Sequence, residues 1–268
     1  MMAWEVYLGG LATTLALGLT GWLASLRLRN VNLVDSLWSL FFLAATLSYL
    51  ALTPEPGPRA ALVLALTALW AVRLAAHLTV RNWGKPEDRR YQAIRARNSP
   101  GFAWKSLYIV FGLQAVLAWL ISLPLFVAVT ASAPLNALDL VGAGLMLAGL
   151  TFETVADPQL GRFKRDPANR GRVMDRGLWR YSRHPNYFGE ACVWWGFGLI
   201  AVAGGAWWAL VSPLLMTFLL LKVSGVALLE RDISERRPAY RDYMARTSAF
   251  IPRPPRRAGT GTTREVAP

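Results

Sequence analysis

Seven stretches of this chain are apolar over about 20 residues each, the length at which a helix crosses a bilayer. They run over Ala3–Leu26, Leu33–Leu52, Ala60–Val80, Leu107–Thr130, Ala137–Ala156, Tyr187–Ala203 and Trp207–Leu229. Inside hydrocarbon a backbone must satisfy its own hydrogen bonds, and short-looped runs of this length do so as helices. The pattern predicts an all-α fold, a polytopic membrane bundle of about seven transmembrane helices.

The 268 residues are 54% hydrophobic, include 12 Trp and carry a formal net charge of +13. Strong positive charge alone would suit nucleic acid, but here the basic residues gather in alternate connections between the apolar runs, the pattern of a membrane protein. One side collects Arg27 and Arg29, then Arg81 to Lys105, then Arg162 to Arg183, and finally the C-terminal tail. The intervening connections hold only Arg59. This bias places the N-terminus outside and the C-terminus in the cytoplasm, with no nucleic-acid partner, and a bacterial inner membrane is the expected location. Met1–Glu5 has no basic n-region, so the first run reads as a retained helix. Residues 1–252 read as one membrane domain and 253–268 as a disordered basic tail. A single cysteine, Cys192, excludes an internal disulfide, and His77 and His184 lack metal-ligand spacing, so no metal is expected.

Polar residues inside the runs are costly in lipid and mark pairing or function. Asp35 lies near the cytoplasmic end of the second run, with Asn32 one turn before it and Trp38 one turn after. It is either an ion-pair partner of Arg73 or Arg81, or a buried acid that donates to a substrate carbonyl, with Trp38 excluding water beside it. Arg73, His77 and Arg81 share one helix face in the third run. They lead into Asn82-Trp-Gly-Lys-Pro-Glu-Asp-Arg-Arg-Tyr91, either a solvated basic loop or a phosphate-contacting one that begins at Arg81 and Asn82. In the fourth run only Gln114 and Pro124 stand out, and it reads as scaffold. Glu153 and Asp157 close the fifth run with an acidic face. Gly196-Phe-Gly-Leu-Ile-Ala201 matches the dinucleotide pattern GxGxxG/A, but it lacks the preceding strand and sits in an apolar run, where small residues serve close helix packing.

The densest polar stretch is Asp175–Glu190, DRGLWRYSRHPNYFGE. Pro185 biases His184 towards extended geometry, so a loop ends there and a helix begins. Asn186 is a good N-cap for that helix, which puts Glu190 in its first turn, where the helix dipole favours a negative charge. A loop carrying Arg180, Arg183 and His184 at the water boundary is a place to hold an anion, and its arginines favour phosphate.

This segment, with Trp194-Trp195-Gly196, Leu229-Glu-Arg-Asp232, Tyr240-Arg-Asp-Tyr243 and Phe250-Ile-Pro252 downstream, resembles the C-terminal signature of the steroid 5-alpha-reductase family. With Asp35-Ser-Leu-Trp38 and the Asn82–Tyr91 loop, the chain is most similar to that family's bacterial domain-of-unknown-function branch (DUF1295). The resemblance implies NADPH bound from the cytoplasm and reduction of a carbon–carbon double bond conjugated to a carbonyl in a lipid-like substrate. It implies that Asp157, Lys164, Arg172, Tyr181, Asn186 and Glu190 line the cofactor site, with Glu230 and Tyr240 helping to close it. The steroid-reducing members carry a Gln-Glu pair on the second helix. That pair is missing here, and Asp35 is the proposed substitute. The isoprenylcysteine and phospholipid methyltransferases share the Arg-His-Pro-x-Tyr core and bind S-adenosylmethionine, which makes them the alternative. A non-catalytic lipid-binding protein of the same fold is the third reading.

Overall fold

The computed structural model describes residues 2–256 apart from 224, 231, 232 and 234–237. Its helices are α1 (Ala3–Leu28), α2 (Leu33–Leu52), α3 (Ala60–Asn82), α4 (Arg89–Arg97), α5 (Phe102–Ile121), α6 (Leu123–Thr130), α7 (Ala137–Arg165), α8 (Pro185–Ala203), α9 (Trp207–Val223), α10 (Val226–Glu230) and α11 (Ala239–Arg246). Among the described residues the only extended pairing is an isolated bridge between Ser182 and Ser248. Five helices, α1, α2, α3, α5 and α7, are long and apolar enough to span a membrane. The sixth and seventh apolar runs are also helical, as α8 and α9. The opening turns of α8 carry Asn186, Tyr187 and Glu190, which dilute its apolarity, and α9 is shorter than the five.

The helices start and stop where local chemistry dictates. The Glu5 carboxylate accepts from the Met2 backbone N–H at 2.9 Å, placing negative charge at the positive end of α1. The fourth run divides at Ser122 because Pro124, in the first turn of α6, has no N–H to continue the ladder. The Ser122 hydroxyl, which donates to the Trp119 carbonyl at 2.7 Å, lies 2.6 Å from the buried Tyr49 hydroxyl of α2. α5 contains a π-helical stretch at Leu107–Gly112. α7 continues nine residues past the predicted Ala156 end and tolerates Pro158 within it.

The chain forms two compact units. Unit 1 comprises Met1–Met146 and Trp194–Leu215. Its core packs Val6, Ala45, Tyr49, Phe126, Val129 and Ala209, with Tyr7 tilted against Trp119 at a centroid distance of 4.6 Å. A second aromatic group, Phe42, Trp70 and Trp194, is fully buried. Lipid is as apolar as these side chains, so close packing and hydrogen bonds, not escape from water, hold such helices together. Arg59 supplies the strongest polar contact of the unit. Although completely buried, it donates from Nε and Nη2 to the two oxygens of Asp139, at 2.7 and 2.8 Å, and also reaches the carbonyls of Ala133, Pro134 and Ala203. The one basic residue of these connections is thus a staple between the start of α3, the start of α7 and the end of α8.

Unit 2 comprises Leu147–Val193 and Met216–Pro268. Here α7 and α8 meet at glycines. A Cβ on Gly189 would lie 2.6 Å from the Gly149 carbonyl and 2.9 Å from the Glu153 side chain, so only glycine permits this approach. The same device recurs in unit 1, where a Cβ on Gly196 would lie 2.5 Å from the Gly142 carbonyl. The glycines that mimic a dinucleotide pattern are thus a helix-packing surface.

Candidate functional site

In unit 1 the loop between α3 and α4 is tied to the α1–α2 hairpin. Asn32 accepts from the Asp88 backbone at 2.8 Å and donates to the Pro86 carbonyl at 3.2 Å. The Val31 N–H donates to Glu87, whose carboxylate is also gripped by both Nε and Nη2 of Arg95 at 2.8 Å. The hydrogen bonds from Arg95 hold the Glu87 carboxyl below its ordinary range. Asp88 caps α4 by accepting from the Arg90 N–H at 2.9 Å.

These ties bury Tyr91 and set its hydroxyl 2.7 Å from Oδ1 of Asp35, to which it donates. Oδ2 of Asp35 takes Arg90 at 3.3 Å and Arg81 at 3.6 Å. Gln114 of α5 reaches the same phenol oxygen at 3.5 Å. Burial, reinforced by the charge of Asp35, pushes the Tyr91 phenol well above its usual range. Trp38, half-buried one turn along α2, stands edge-on to Phe42 at 5.2 Å. At the end of α3, Asn82 accepts from Arg81 at 3.1 Å, while its own Nδ2 is buried with no acceptor. A buried unmet donor is rare and calls for an explanation such as a ligand or water.

In unit 2 the Asp175–Glu190 stretch becomes a short 3₁₀ turn, Gly177–Arg180, followed by α8. Arg183 is buried and commits four donor bonds inside the protein. Nε and Nη2 go to the two oxygens of Glu230 at 2.7 and 2.8 Å, and Nη1 goes to the carbonyls of Met244 and Thr247 at 3.0 and 2.6 Å. His184 Nε2 lies 2.9 Å from the same Glu230. Burial alone would raise the Glu230 carboxyl, but hydrogen bonds from His184 and Arg183 and the charge of Arg183 override it, pulling it from 4.5 to about 2. Tyr243 donates to the Trp179 carbonyl, and Tyr240 packs on Tyr243 at 5.3 Å. α8 opens at Pro185, whose fixed φ suits a first helical position, so Asn186 lies inside the helix instead of capping it and Glu190 falls past the first turn. Asp157 accepts from Asn186 at 3.3 Å, and Glu190 is buried.

The depressed Glu230 carboxyl has a consequence with a definite sign. Its stabilising effect is complete above about pH 4.5 and is lost as pH falls through about 2. In detergent, Glu230→Gln is therefore expected to be less stable than wild type near neutral pH, with the difference shrinking below pH 4.5 and closing near pH 2. A difference that stays constant to pH 2 would show that Glu230 is not held by Arg183 and His184.

A family model described as "Protein of unknown function (DUF1295)" matches residues 21–247. The chain belongs to this family. An uncharacterized protein of Schizosaccharomyces pombe is 26% identical over 281 residues, covering 91% of this chain and 79% of that protein. No solved structure gives a significant match.

In this DUF1295 protein the residues singled out from the sequence fall into two groups. Asp35, Trp38, Arg81 and Asn82 lie in unit 1, and all but Trp38 contact one another directly or through Arg81. Asp157, Lys164, Arg172, Arg180, Tyr181, Arg183, His184, Asn186, Glu190, Glu230 and Tyr240 lie in unit 2. Within unit 2, Lys164, Arg172, Arg180 and Tyr181 are exposed, whereas Arg183, His184, Glu190 and Tyr240 are buried. Asp35 is ion-paired with Arg81 and Arg90. Arg183 spends its hydrogen bonds on Glu230 and on the Met244 and Thr247 carbonyls, and Glu230 is engaged by Arg183 and His184. Sequence reasoning did not assign Tyr91 a role, although it ends the quoted loop motif. Of the 253–268 tail, Arg253 and Arg256 donate backbone hydrogen bonds to the Tyr181 and Arg246 carbonyls, so this first part is tied down. Residues 257–268, like Arg231 and Asp232, lie outside the described residues.

Proposed function

We propose that the protein is a membrane-embedded, NADPH-dependent reductase of a carbon–carbon double bond conjugated to a carbonyl, acting on a lipid-like substrate of steroid or isoprenoid type. The part-buried Tyr91–Asp35 pair carries this reading. Reducing an enone develops negative charge on its carbonyl oxygen, and a positioned donor must meet that charge. A phenol with a raised pKa stays protonated; its one O–H, given to Asp35 in this structure, would turn to the substrate oxygen on binding, leaving Asp35 to Arg81 and Arg90. Tyr91, Arg90 and Arg81 each present a donor to Asp35. The role of proton donor therefore passes from Asp35 to Tyr91, with Asp35 as its positioning residue and Trp38 as an apolar wall on α2. The spare Asn82 donor, next to Arg81, is available to a polar group of a ligand.

Bound NADPH would supply the hydride. The donor set of unit 2 suits such a cofactor: Lys164, Arg172 and Arg180 provide cations for phosphates, and the Asp157–Asn186 pair provides an acceptor and a donor for hydroxyl or amide groups. Tyr181, Glu190 and Tyr240 complete the proposed lining, while Arg183, His184 and Glu230 hold the loop in shape. S-adenosylmethionine carries a sulfonium cation that this arginine-rich surface does not favour, which places a methyltransferase second. The test is NADPH oxidation by the detergent-purified protein over a panel of enone lipids. Reduction of at least one enone at the expense of NADPH supports the reading, and methyl transfer from S-adenosylmethionine with no NADPH oxidation would overturn it.

A further inference from the structure

Unit 2 has an open cleft of about 530 Å³, within the size range of small-ligand sites. Four arginines line it, Arg176, Arg180, Arg246 and Arg256, against a single acid, Asp175. One wall is the Gly177–Arg180 turn. Gly177 has φ 56°, its missing Cβ would lie 2.5 Å from the Gln159 amide oxygen, and the Leu178 N–H donates to that oxygen at 3.0 Å. Trp179 anchors the turn by donating to the Ala156 carbonyl at 3.0 Å. The opposite wall is the end of α11 and the segment after it. Arg256 donates its N–H to the Arg246 carbonyl at 2.9 Å, and Arg253 donates to Tyr181 at 2.9 Å. Both walls are thus fixed by backbone hydrogen bonds, and the arginine side chains are exposed into the cleft.

Arg246 pairs with Asp175 at 2.6 Å. Among the described residues, Arg176, Arg180 and Arg256 have no acidic partner. Four guanidiniums around one carboxylate repel one another, and a multiply charged anion relieves that repulsion. Guanidinium forks match phosphate oxygens in pairs, which favours phosphate over a lone carboxylate.

We propose that this cleft binds the phosphate group of an anionic ligand, carried by a phospholipid headgroup or by a soluble phosphate compound. Asp175 acts as the internal counter-ion that the ligand displaces from Arg246.

The test uses the full chain. Pyrophosphate is titrated into detergent-purified protein, and phosphatidylglycerol retention is measured against phosphatidylcholine in lipid nanodiscs. The variants are the double change Arg176→Gln/Arg256→Gln, the single change Asp175→Asn, and charge-matched controls at exposed arginines outside the cleft, Arg165→Gln/Arg241→Gln. Arg180 belongs to both proposals, but Arg176 and Arg256 have no part in the nicotinamide reading, so NADPH affinity measured on the double variant separates the two. Weakened phosphate binding with unchanged NADPH affinity assigns a distinct site. Equal loss of both assigns the cleft to the nicotinamide cofactor and overturns this proposal. The double variant is expected to weaken binding at least about tenfold, the loss of one charged hydrogen bond or more. Asp175→Asn is expected to strengthen it by roughly two- to fivefold, the scale of one exposed ion pair. Saturable pyrophosphate binding with this pattern assigns a soluble phosphate compound. Selective phosphatidylglycerol retention with the same pattern assigns a headgroup. Equal losses in the control variant, or no binding of either probe, would overturn the site. Unchanged thermal melting of the variants confirms that folding is not the cause.

Discussion

Tyr91→Phe is expected to leave the protein folded and to lower turnover of an enone by roughly two to four orders of magnitude, the range of a lost general acid. The ring still fills its buried position, and only the hydroxyl that donates to Asp35 at 2.7 Å is removed. Asp35→Asn separates positioning from proton donation. It keeps the side-chain shape but removes the charge that both arginines engage, at 3.3 and 3.6 Å. Its turnover is expected to fall less than that of Tyr91→Phe, with NADPH affinity unchanged in both. Full turnover in Tyr91→Phe would remove the phenol from the chemistry and make the cluster a purely structural tie between α2, α3 and α4.

The largest stability effect is expected at Arg59. Arg59→Ala strands a buried Asp139 carboxylate, and Asp139→Ala strands a buried guanidinium, each costing about 3–5 kcal/mol. Replacing both, as Arg59→Met/Asp139→Leu, removes the unpaired charge and should recover a large part of the loss. Thermal unfolding of the three purified variants decides the matter. Single variants within about 1 kcal/mol of wild type would mean that the pair, completely buried on the arginine side, is not holding the start of α7.

The helices were readable wherever the signal was local. The run from Leu33 to Leu52 coincides with α2, and Ala3, Ala60 and Ala137 each open a helix where the apolar stretch opens. One end and one whole helix were not readable. After Ala156 the chain turns polar and meets Pro158, a pattern that reads as a stop, yet α7 runs on to Arg165. α4 has too few apolar residues to announce itself, and its helix rests on the Asp88 cap, the Glu87–Arg95 pair and a buried Tyr91.

The charged residues were legible in type but not in pairing. Arg59 looks like a loop charge because its partner lies 80 positions away, and Arg183 looks like a ligand contact because Glu230 lies 47 positions away. A buried arginine with a distant acid and a ligand-binding arginine have the same local sequence. Asp35 was found as an anomaly inside an apolar run, but the phenol it orients lies 56 positions downstream and carries no signal of its own.

Titration of the detergent-purified protein with NADPH and S-adenosylmethionine side by side addresses the central claim most directly. The reductase account predicts saturable NADPH binding, weakened by Arg172→Ala, and no binding of S-adenosylmethionine. Binding of S-adenosylmethionine without binding of NADPH would contradict it.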